Sequence, residues 1–381
     1  MKKLWLLVLT SAVLFTLAAC SDTAASTDQA DEEKSEQQDE GKKEKSESED
    51  SESTEEKEAD KEKEEEEEPE QPFEPLMPSE DAKPLEETMT KEELEKMPVV
   101  EAHGEDRTRK TPVGETLIAG NEDKSDGLLK NYRLVAYYGH PQSTQMGILG
   151  EMEPEALMAK LKEQTQAYSD ADPSHPAVPM IELISTVAQR DPGPEGLYFH
   201  RTSEEDIDKY VELAKKHDAL IMLDVQLGRD TPLNQVKSLE KWLKLPYVHV
   251  AIDTEFHVAE GETPGINLGS VNGADIQQAV EYVDNLVEEE NLPDKIVLVH
   301  QFTDKAVTNK QAIKPTENVE VALNFDGYGD AATKMSLYRK FVRNDAVQYG
   351  GFKIFYDKDQ PVMSPEDVLK LDPNPAIINY Q

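Results

Sequence analysis

Residues 131–381 of this chain repeat one pattern, in which a short apolar run is followed by an amphipathic stretch. Nearly continuous apolar runs are typical of strands buried on both faces, and the amphipathic stretches between them predict helices that cover the sheet. Regular alternation of the two predicts a parallel sheet. The strand candidates are residues 133–139, 178–184, 220–225, 248–255, 295–302, 319–326, 351–357 and 376–380.

The number of these units matches a closed barrel. Eight strands in about 250 residues is the size of a (β/α)8 barrel. The alternative is an open doubly wound sheet, but Tyr138-Gly139-His140-Pro141 after the first strand is not a glycine-rich phosphate loop. The sequence therefore predicts an α/β fold, a TIM-like (β/α)8 barrel over residues 131–381. Its helices are expected at 153–168, 204–217 (capped by Ser203), 233–244, 273–290, 331–343 and 365–371.

The chain before the barrel is too acidic to build a core. Residues 31–70 hold 22 Asp or Glu and 7 Lys, with almost nothing apolar. Low hydrophobicity and high net charge leave such a segment disordered, because too little apolar surface offsets the chain entropy. We therefore expect a disordered acidic linker at 20–98 and a partly ordered extension at 99–130. Smaller expected elements are a helix at 91–96 capped by Thr90 and a strand near 116–120.

The first residues have the composition of an export signal. Met1-Lys2-Lys3 is a basic head, and residues 4–17 form an apolar run too short to span a bilayer comfortably. The following Leu17-Ala18-Ala19-Cys20 resembles the lipobox of bacterial lipoproteins. This resemblance implies a signal peptide at 1–19, a lipid on Cys20, and an anchor on the extracytoplasmic face of a Gram-positive-like cell membrane. Cys20 is the one cysteine of the sequence, which agrees with a role as the anchor.

The charge of the chain restricts its partners. The formal net charge is −39, and residues 131–381 alone carry 40 acidic against 23 basic side chains. Such a surface argues against nucleic acid and against electrostatic docking to anionic lipid. We expect the membrane, through the lipid on Cys20, and a glycan as partners. We also expect a monomer and no cofactor.

Polar residues are concentrated where the predicted strands end. In a (β/α)8 barrel the carboxyl ends of the strands meet at one face, and the active site lies there. Acids and imidazoles at many strand ends therefore indicate a functional site. The candidates for substrate binding are Tyr138, His140, Glu182, Asp224, Gln226, His300, Gln301, Asn324, Asp326, Tyr356 and Asp357.

The most specific piece of this set is Asp253-Thr254-Glu255 at the end of the fourth strand. Residues two apart in a strand point to the same face, so the two carboxylates share one side. Two nearby carboxylates repel each other when both are ionised, so one tends to keep a proton near neutral pH. A protonated carboxyl is what a general acid for a glycosidic oxygen must be. The alternative is that the two acids form ion pairs or cap the following loop.

The Asp-x-Glu sequence resembles the tail of the D-x-x-D-x-D-x-E signature of chitinase-type glycoside hydrolases. Phe355-Tyr356-Asp357 resembles the Tyr-Asp strand end of that family. The resemblance implies that Glu255 protonates the leaving oxygen, that Asp253 orients an acetamido group attacking the anomeric carbon, and that Tyr356 bonds to the same group. Val248 and Ala251 stand where the family has its two upstream aspartates. The Asp-x-Glu is also similar to that of barrel lysozymes, and the domain resembles uncharacterised barrel lipoproteins of Gram-positive bacteria.

The sequence leaves three classes of function open. The first is a glycoside hydrolase of envelope or environmental glycans, with Glu255 and Asp253 as its catalytic residues. The second is a non-catalytic barrel that binds a glycan or acts as a cell-wall scaffold. The third is a metal-dependent hydrolase with ligands among His140, Asp224, Asp253, His257 and His300. Aromatic residues near strand ends, which either form sugar platforms or pack inward, are Tyr137, Tyr138, Phe256, Phe302, Tyr328 and Tyr356.

Overall fold

The computed structural model describes residues 71–96, 100–102, 105–107, 115–118 and 121–381. The predicted signal peptide at 1–19, the predicted lipidation site Cys20 and the acidic run at 31–70 lie outside the described residues. Within the described part of the chain, no helix combines the length and the apolar character that crossing a membrane requires.

Eight strands of the described chain close into a parallel barrel, which confirms the predicted fold class. Each strand pairs in parallel with the strands before and after it. The ring closes where the last strand pairs with the first, with Ile378 opposite Val135. The strands are β1 (Arg133–Gly139), β2 (Ala177–Ala188), β3 (Leu220–Gln226), β4 (Val248–Asp253), β5 (Lys295–Gln301), β6 (Val319–Phe325), β7 (Tyr349–Ile354) and β8 (Ile377–Tyr380).

Helices connect the strands and bury their apolar stripes against the barrel. The helix between the first two strands, for example, buries Leu157, Met158 and Leu161. Ser203 caps its helix as predicted, since its Oγ accepts the N–H of Asp206 at 3.2 Å. The helices are α1 (Pro154–Ala171), α2 (Glu204–Lys216), α3 (Pro232–Ser238), α4 (Glu240–Leu243), α5 (Gly273–Glu290), α6 (Ala331–Tyr338) and α7 (Pro365–Leu369).

Two of the predicted helices are not continuous α-helices. The helix expected at 233–244 is interrupted at Leu239, so it forms α3 and α4. The helix expected at 331–343 ends as α-helix at Tyr338 and continues as a π-helical turn, Arg339–Arg343. The remaining short helices of the described chain are Leu85–Thr88, Lys91–Lys96, Ile148–Gly150 and Lys310–Ala312. Val100–Ala102 pairs antiparallel with Glu105–Arg107, and Val271–Asn272 pairs in parallel with Val307–Thr308. A short strand at Phe199–Arg201 pairs antiparallel with the end of β2.

Residues that precede the barrel pack against it. The backbone N–H of Glu74 donates to the carbonyl oxygen of Asp218 at 2.8 Å, and Phe73 and Leu85 are buried in the core. The packed part of the chain therefore begins near Phe73, well before the predicted linker boundary at residue 98. At the helix Lys91–Lys96, Thr90 Oγ1 accepts the N–H of Glu93 at 3.3 Å, so Thr90 is the predicted cap.

A second preceding segment covers the amino-terminal end of the barrel. Glu320, buried at the start of β6, accepts the backbone N–H of Leu129 at 2.9 Å, and Tyr349 at the start of β7 donates to Asp123 at 2.7 Å. The strand predicted near 116–120 is absent from its described part, residues 116–118. Leu117 instead docks by donating its N–H to the carbonyl oxygen of Gln348 at 2.9 Å. With this end covered, the carboxyl ends of the strands remain open.

Candidate active site

The carboxyl ends of the strands surround a cleft of about 650 Å³. This volume lies within the range of ligand sites, about 300–1,000 Å³. Every barrel strand has a cleft-lining residue in the strand or within three positions of its end. The polar side chains that line the cleft at the strand ends include Tyr138, Gln226, Asp253, Glu255, Asp326, Lys353 and Gln381, and the aromatic side chains are Phe256, Phe302, Tyr328 and Phe355.

Most of the residues predicted for the site come together here, in two layers. Tyr138, Gln226, Asp253, Glu255 and Asp326 line the cleft itself. Below them, inside the barrel, lies a buried layer that touches the cleft residues through hydrogen bonds. It contains Glu182, Asp224, His300 and Asn324.

Glu255 lies at the point where β4 turns into its loop. The backbone N–H of Glu255 donates to Asp253 Oδ1 at 2.9 Å, and the hydroxyl of Thr254 donates to the carbonyl oxygen of His300 at 2.7 Å. Burial, together with the negative charges of Asp253 and Asp326, raises the pKa of Glu255 to about 8. Burial also raises the pKa of Asp253. Glu255 therefore carries a proton at neutral pH in an open cleft.

The carboxyl group of Asp326, unlike that of Glu255, has cationic neighbours that favour its ionised form. The ammonium of Lys353 is 3.2 Å from Asp326 Oδ2, and His300 Nδ1 lies 3.4 Å from the same oxygen. Burial alone raises the pKa of Asp326, but these two cationic neighbours outweigh it and hold the pKa below its usual value. Two carboxyl groups of one cleft are thus held in different protonation states, Glu255 protonated and Asp326 ionised.

Lys353 is a site residue that the sequence analysis missed. Its side chain is buried, and its ammonium lies 3.5 Å from the centre of the Tyr138 ring. Burial lowers the pKa of this lysine, but Asp326 and the other carboxylates around it outweigh burial and raise the pKa. A lysine inside the apolar run Gly351-Phe-Lys-Ile-Phe355 was the available signal, because a charged side chain in a buried strand needs a partner.

The buried layer is a connected hydrogen-bond network. His300 Nε2 lies 2.7 Å from Glu182 Oε1, and Asn379 donates to the other oxygen of Glu182. Asn324 Nδ2 donates to Asn379 Oδ1 at 2.8 Å and lies 3.1 Å from His300 Nδ1. Asn379 is the second residue missed in the sequence, since it lies within the short apolar run of β8. These four side chains tie β2, β5, β6 and β8 together below the cleft.

A second branch of the network joins this layer to the cleft. The hydroxyl of Tyr138 donates to Asp224 Oδ2 at 3.2 Å and accepts from Gln226 Nε2 at 3.4 Å. Asp224 Oδ1 is buried and has no hydrogen-bond partner among the described residues. Burial, the charge of Asp253 and that of Glu182 raise the pKa of Asp224 well above its usual value, against the opposing effect of His300.

Three atoms of the buried layer have the arrangement of metal ligands. Glu182, Asp224 and His300 each place one ligand atom within 4.8 Å of the others. For His300, burial lowers the pKa, but Glu182 and Asp326 outweigh it, so without an ion the imidazole retains its second proton. The set predicted from the sequence is not assembled. His140 Nε2 lies 3.1 Å from the hydroxyl of Thr202, and His257 Nδ1 lies 2.6 Å from the carbonyl oxygen of Ser270.

Four residues predicted for substrate binding belong neither to the cleft lining nor to the buried layer. Gln301 follows the inward-facing His300, so it points away from the barrel interior, and its amide donates to the carbonyl oxygen of Thr303 at 3.1 Å. His140 lines a separate depression with Arg201 and Asp206. The remaining two residues are Tyr356 and Asp357.

Tyr356 and Asp357 lie beyond β7, which ends at Ile354. The Tyr356 ring stacks on Tyr380 with 5.3 Å between ring centres, and its hydroxyl donates to Gln164 of α1 at 3.3 Å. Asp357 is exposed in the following turn. Tyr356 therefore lies outside the cleft in which the chitinase resemblance expects it to bind an acetamido group.

An aromatic wall completes the cleft. The rings of Phe302 and Tyr328 stack with 6.2 Å between centres and 24° between planes, and the Tyr328 side chain is about half exposed, at 52%. Phe355 meets Tyr328 edge-on at 5.8 Å. Tyr137 packs outside the barrel, edge-on to Tyr380.

The chain matches no known protein-family model, and no curated protein matches its sequence with significance.

Proposed function

We propose that this protein is a glycoside hydrolase that is anchored to the extracytoplasmic face of a cell membrane through a lipid on Cys20. Its substrates are envelope or environmental glycans, and Glu255 is the general acid. The observation that carries the proposal is a carboxyl group with a pKa of about 8 that lines an open cleft at the carboxyl end of a barrel.

Glu255 keeps its proton at neutral pH, at which Asp326 in the same cleft is ionised. In the reaction, Glu255 gives its proton to the glycosidic oxygen as the bond from that oxygen to the anomeric carbon breaks. A water molecule forms the new bond to the anomeric carbon and loses its proton to a carboxylate. We assign this second role to Asp326, because it lines the same cleft and the ammonium of Lys353, 3.2 Å away, favours its ionised form.

Asp253 positions Glu255 and raises its pKa. Accepting the N–H of Glu255 fixes the turn that presents the acid, and the negative charge of Asp253 favours the protonated form of Glu255. This role needs no acetamido group on the substrate. The proposal therefore covers glycans in general and does not depend on the chitinase-type mechanism.

The aromatic wall supports a sugar as the ligand. Tyr328 and Phe302 offer apolar ring surface beside the acid. The carbon-bound hydrogens of a pyranose ring give it an apolar face that packs on such surfaces, while its hydroxyls need polar partners. Gln226, Tyr138 and Lys353 supply polar groups in the same cleft.

The test is release of reducing ends from purified peptidoglycan, chitin oligosaccharides and plant-derived polysaccharides. Glu255→Gln is expected to lower turnover by at least about 100-fold, since it removes the acid but keeps the shape. Glu260→Gln, which changes an exposed acid of the same loop, is the matched control and is expected to keep full activity. Equal activity of Glu255→Gln and the wild type would contradict the proposed role.

The anchor is tested separately by fractionation of cells that express the protein. Wild-type protein is expected in the membrane fraction, and Cys20→Ala is expected to release it, because the thiol is the site of lipid attachment. Membrane retention of Cys20→Ala after a salt wash would contradict anchoring through this residue.

A further inference from the structure

We infer that Glu182, Asp224 and His300 bind one divalent transition-metal ion directly beneath the cleft. The inference goes beyond the proposed hydrolysis and does not rest on it. It depends on four observations about the buried layer: the convergence of three ligand atoms, an unpartnered carboxylate oxygen, the bonds that hold each ligand from behind, and the charge balance.

The three side chains converge from different strands of the barrel. His300 Nε2 lies 2.7 Å from Glu182 Oε1 and 3.9 Å from Asp224 Oδ1, and the three ligand atoms lie within 4.8 Å of one another. A metal bound at about 2.0–2.2 Å from each ligand separates neighbouring ligand atoms by roughly 3–4 Å. Small rotations of the side chains therefore suffice to surround an ion.

Asp224 supplies an independent observation. Its Oδ1 is fully buried and has no hydrogen-bond donor among the described residues, although the same oxygen faces His300 Nε2 at 3.9 Å. A buried carboxylate oxygen without a partner is costly. A bound cation is the partner that this oxygen lacks.

The atoms of the three ligands that face away from the ion are all held. Asn379 donates to Glu182 Oε2, and the hydroxyl of Tyr138 donates to Asp224 Oδ2 at 3.2 Å. His300 Nδ1 lies 3.4 Å from Asp326 Oδ2. A carboxylate behind a histidine, and hydrogen bonds behind ligating carboxylates, are the usual supports of protein metal sites.

The charge of the region also favours a cation. Glu182, Asp224, Asp253 and Asp326 are four buried acids, and only two buried basic side chains, Lys353 and His300, lie among them in the described barrel interior. Unpaired buried charge is unfavourable, and a divalent ion offsets two of these charges. An ion bound by His300 Nε2 replaces the 2.7 Å contact of this nitrogen with Glu182 Oε1, and any proton on the nitrogen leaves to solvent.

The ligand set indicates the kind of ion. One imidazole and two carboxylates suit Zn²⁺, Mn²⁺, Co²⁺ or Fe²⁺, whereas Ca²⁺ and Mg²⁺ prefer oxygen ligands alone. Tyr138 both lines the cleft and donates to Asp224, so Asp224 connects the ion to a side chain of the cleft. Its expected effect is to position Tyr138 and to balance charge below the acid.

The test is metal uptake by the full chain, without any glycan. Chelator-treated protein is incubated with Zn²⁺, Mn²⁺ or Co²⁺ and desalted, and the retained metal is measured by mass spectrometry. Asp224→Asn and His300→Gln are expected to retain about one ion fewer per chain than the wild type. Every variant has the same acidic amino-terminal region, so weak binding there cancels in the comparison.

His140→Gln and His257→Gln are the matched controls, because both histidines lie at strand ends but outside the converging set. Both are expected to retain the metal of the wild type. Equal retention by the wild type and by a folded Asp224→Asn, checked by circular dichroism, would overturn the inference.

A second measurement needs no variant. A saturating ion that binds the folded state is expected to raise the melting temperature of the wild-type chain, and Co²⁺ is expected to produce a visible absorption band. Absence of both changes would also overturn the inference. Glu255→Gln is expected to retain the ion, so loss of glycan cleavage and loss of metal binding are distinguished in separate experiments.

Discussion

Asp253 Oδ1 accepts the backbone N–H of Glu255 at 2.9 Å, and this bond joins the two acids of the Asp-x-Glu sequence. One acid thereby fixes the turn that carries the other. The same closeness makes Asp253 a source of negative charge that, after burial, raises the pKa of Glu255 to about 8. The acid and the residue that tunes it are thus built into three consecutive positions at the end of β4.

The pH profile of catalysis follows from this pair. A general acid works while it is protonated, so kcat/KM is expected to fall as the pH rises through about 8. Asp253→Asn keeps an oxygen that can accept the N–H of Glu255 but removes the charge. We expect the alkaline limb to move to lower pH in this variant. Identical limbs in both enzymes would exclude Asp253 as the tuning residue.

The pH dependence of the free energy of unfolding is expected to reflect the raised pKa of Glu255. The pKa of Glu255 is about 8 in the folded state and about 4.5 unfolded, so the folded state binds more protons between these values. Its contribution to stability is full below pH 4.5 and is lost as the pH rises through 8. Glu255→Gln is therefore expected to be about 2–4 kcal/mol more stable relative to the wild type at pH 9 than at pH 4.

Urea unfolding at the two pH values measures this difference, and Glu260→Gln is the control for loss of an exposed charge. A Glu255→Gln variant that is destabilised equally at both pH values would indicate a structural carboxylate. Such a result would weaken the case for a functional acid.

Lys353 and Asp326 form a buried ion pair at 3.2 Å, and removal of one partner alone is expected to destabilise the fold. Lys353→Met leaves the Asp326 carboxylate buried without its ammonium, so a loss of about 3–5 kcal/mol in the free energy of unfolding is expected. Lys353→Met with Asp326→Asn removes both charges and is expected to recover most of that loss. Additive losses in the double variant would contradict the coupling.

Tyr328 tests the aromatic wall. Its exposed ring stacks on Phe302 inside the cleft, so Tyr328→Ala is expected to raise KM for a glycan about tenfold with little change in kcat. Tyr356→Ala is the matched control, since Tyr356 is also partly exposed but stacks on Tyr380 outside the cleft. Equal effects of both variants would argue against a sugar platform at Tyr328.

Most of the barrel can be predicted from the sequence because its apolar residues recur periodically. The first strand, Arg133–Gly139, and the long helix, Gly273–Glu290, have the predicted bounds. Apolar runs buried on both faces and helices with one apolar stripe leave regular patterns over many residues. These patterns remain recognisable where a few residues depart from them. The predicted pair Asp253 and Glu255 lines the cleft because it lies at the carboxyl end of a strand of this kind.

Individual site residues were harder to predict, for two physical reasons. Tyr356 and His140 come just after a strand, where the loop decides the direction of a side chain and strand alternation no longer applies. Lys353 and Asn379 are polar residues within apolar strands, and only the closed ring shows that they face the same interior as Asp326 and Glu182. Their partners lie on other strands, so no local pattern connects them.

The most direct test of the account is a titration of the Glu255 side-chain carboxyl by carbon NMR, with Glu255→Gln used to assign its signal. The experiment needs neither a substrate nor activity. We expect a titration midpoint of about 8 in the wild type and a lower midpoint in Asp253→Asn. A midpoint near 4.5 that does not respond to Asp253→Asn would show an ordinary ionised carboxylate and would contradict Glu255 as the acid of this cleft.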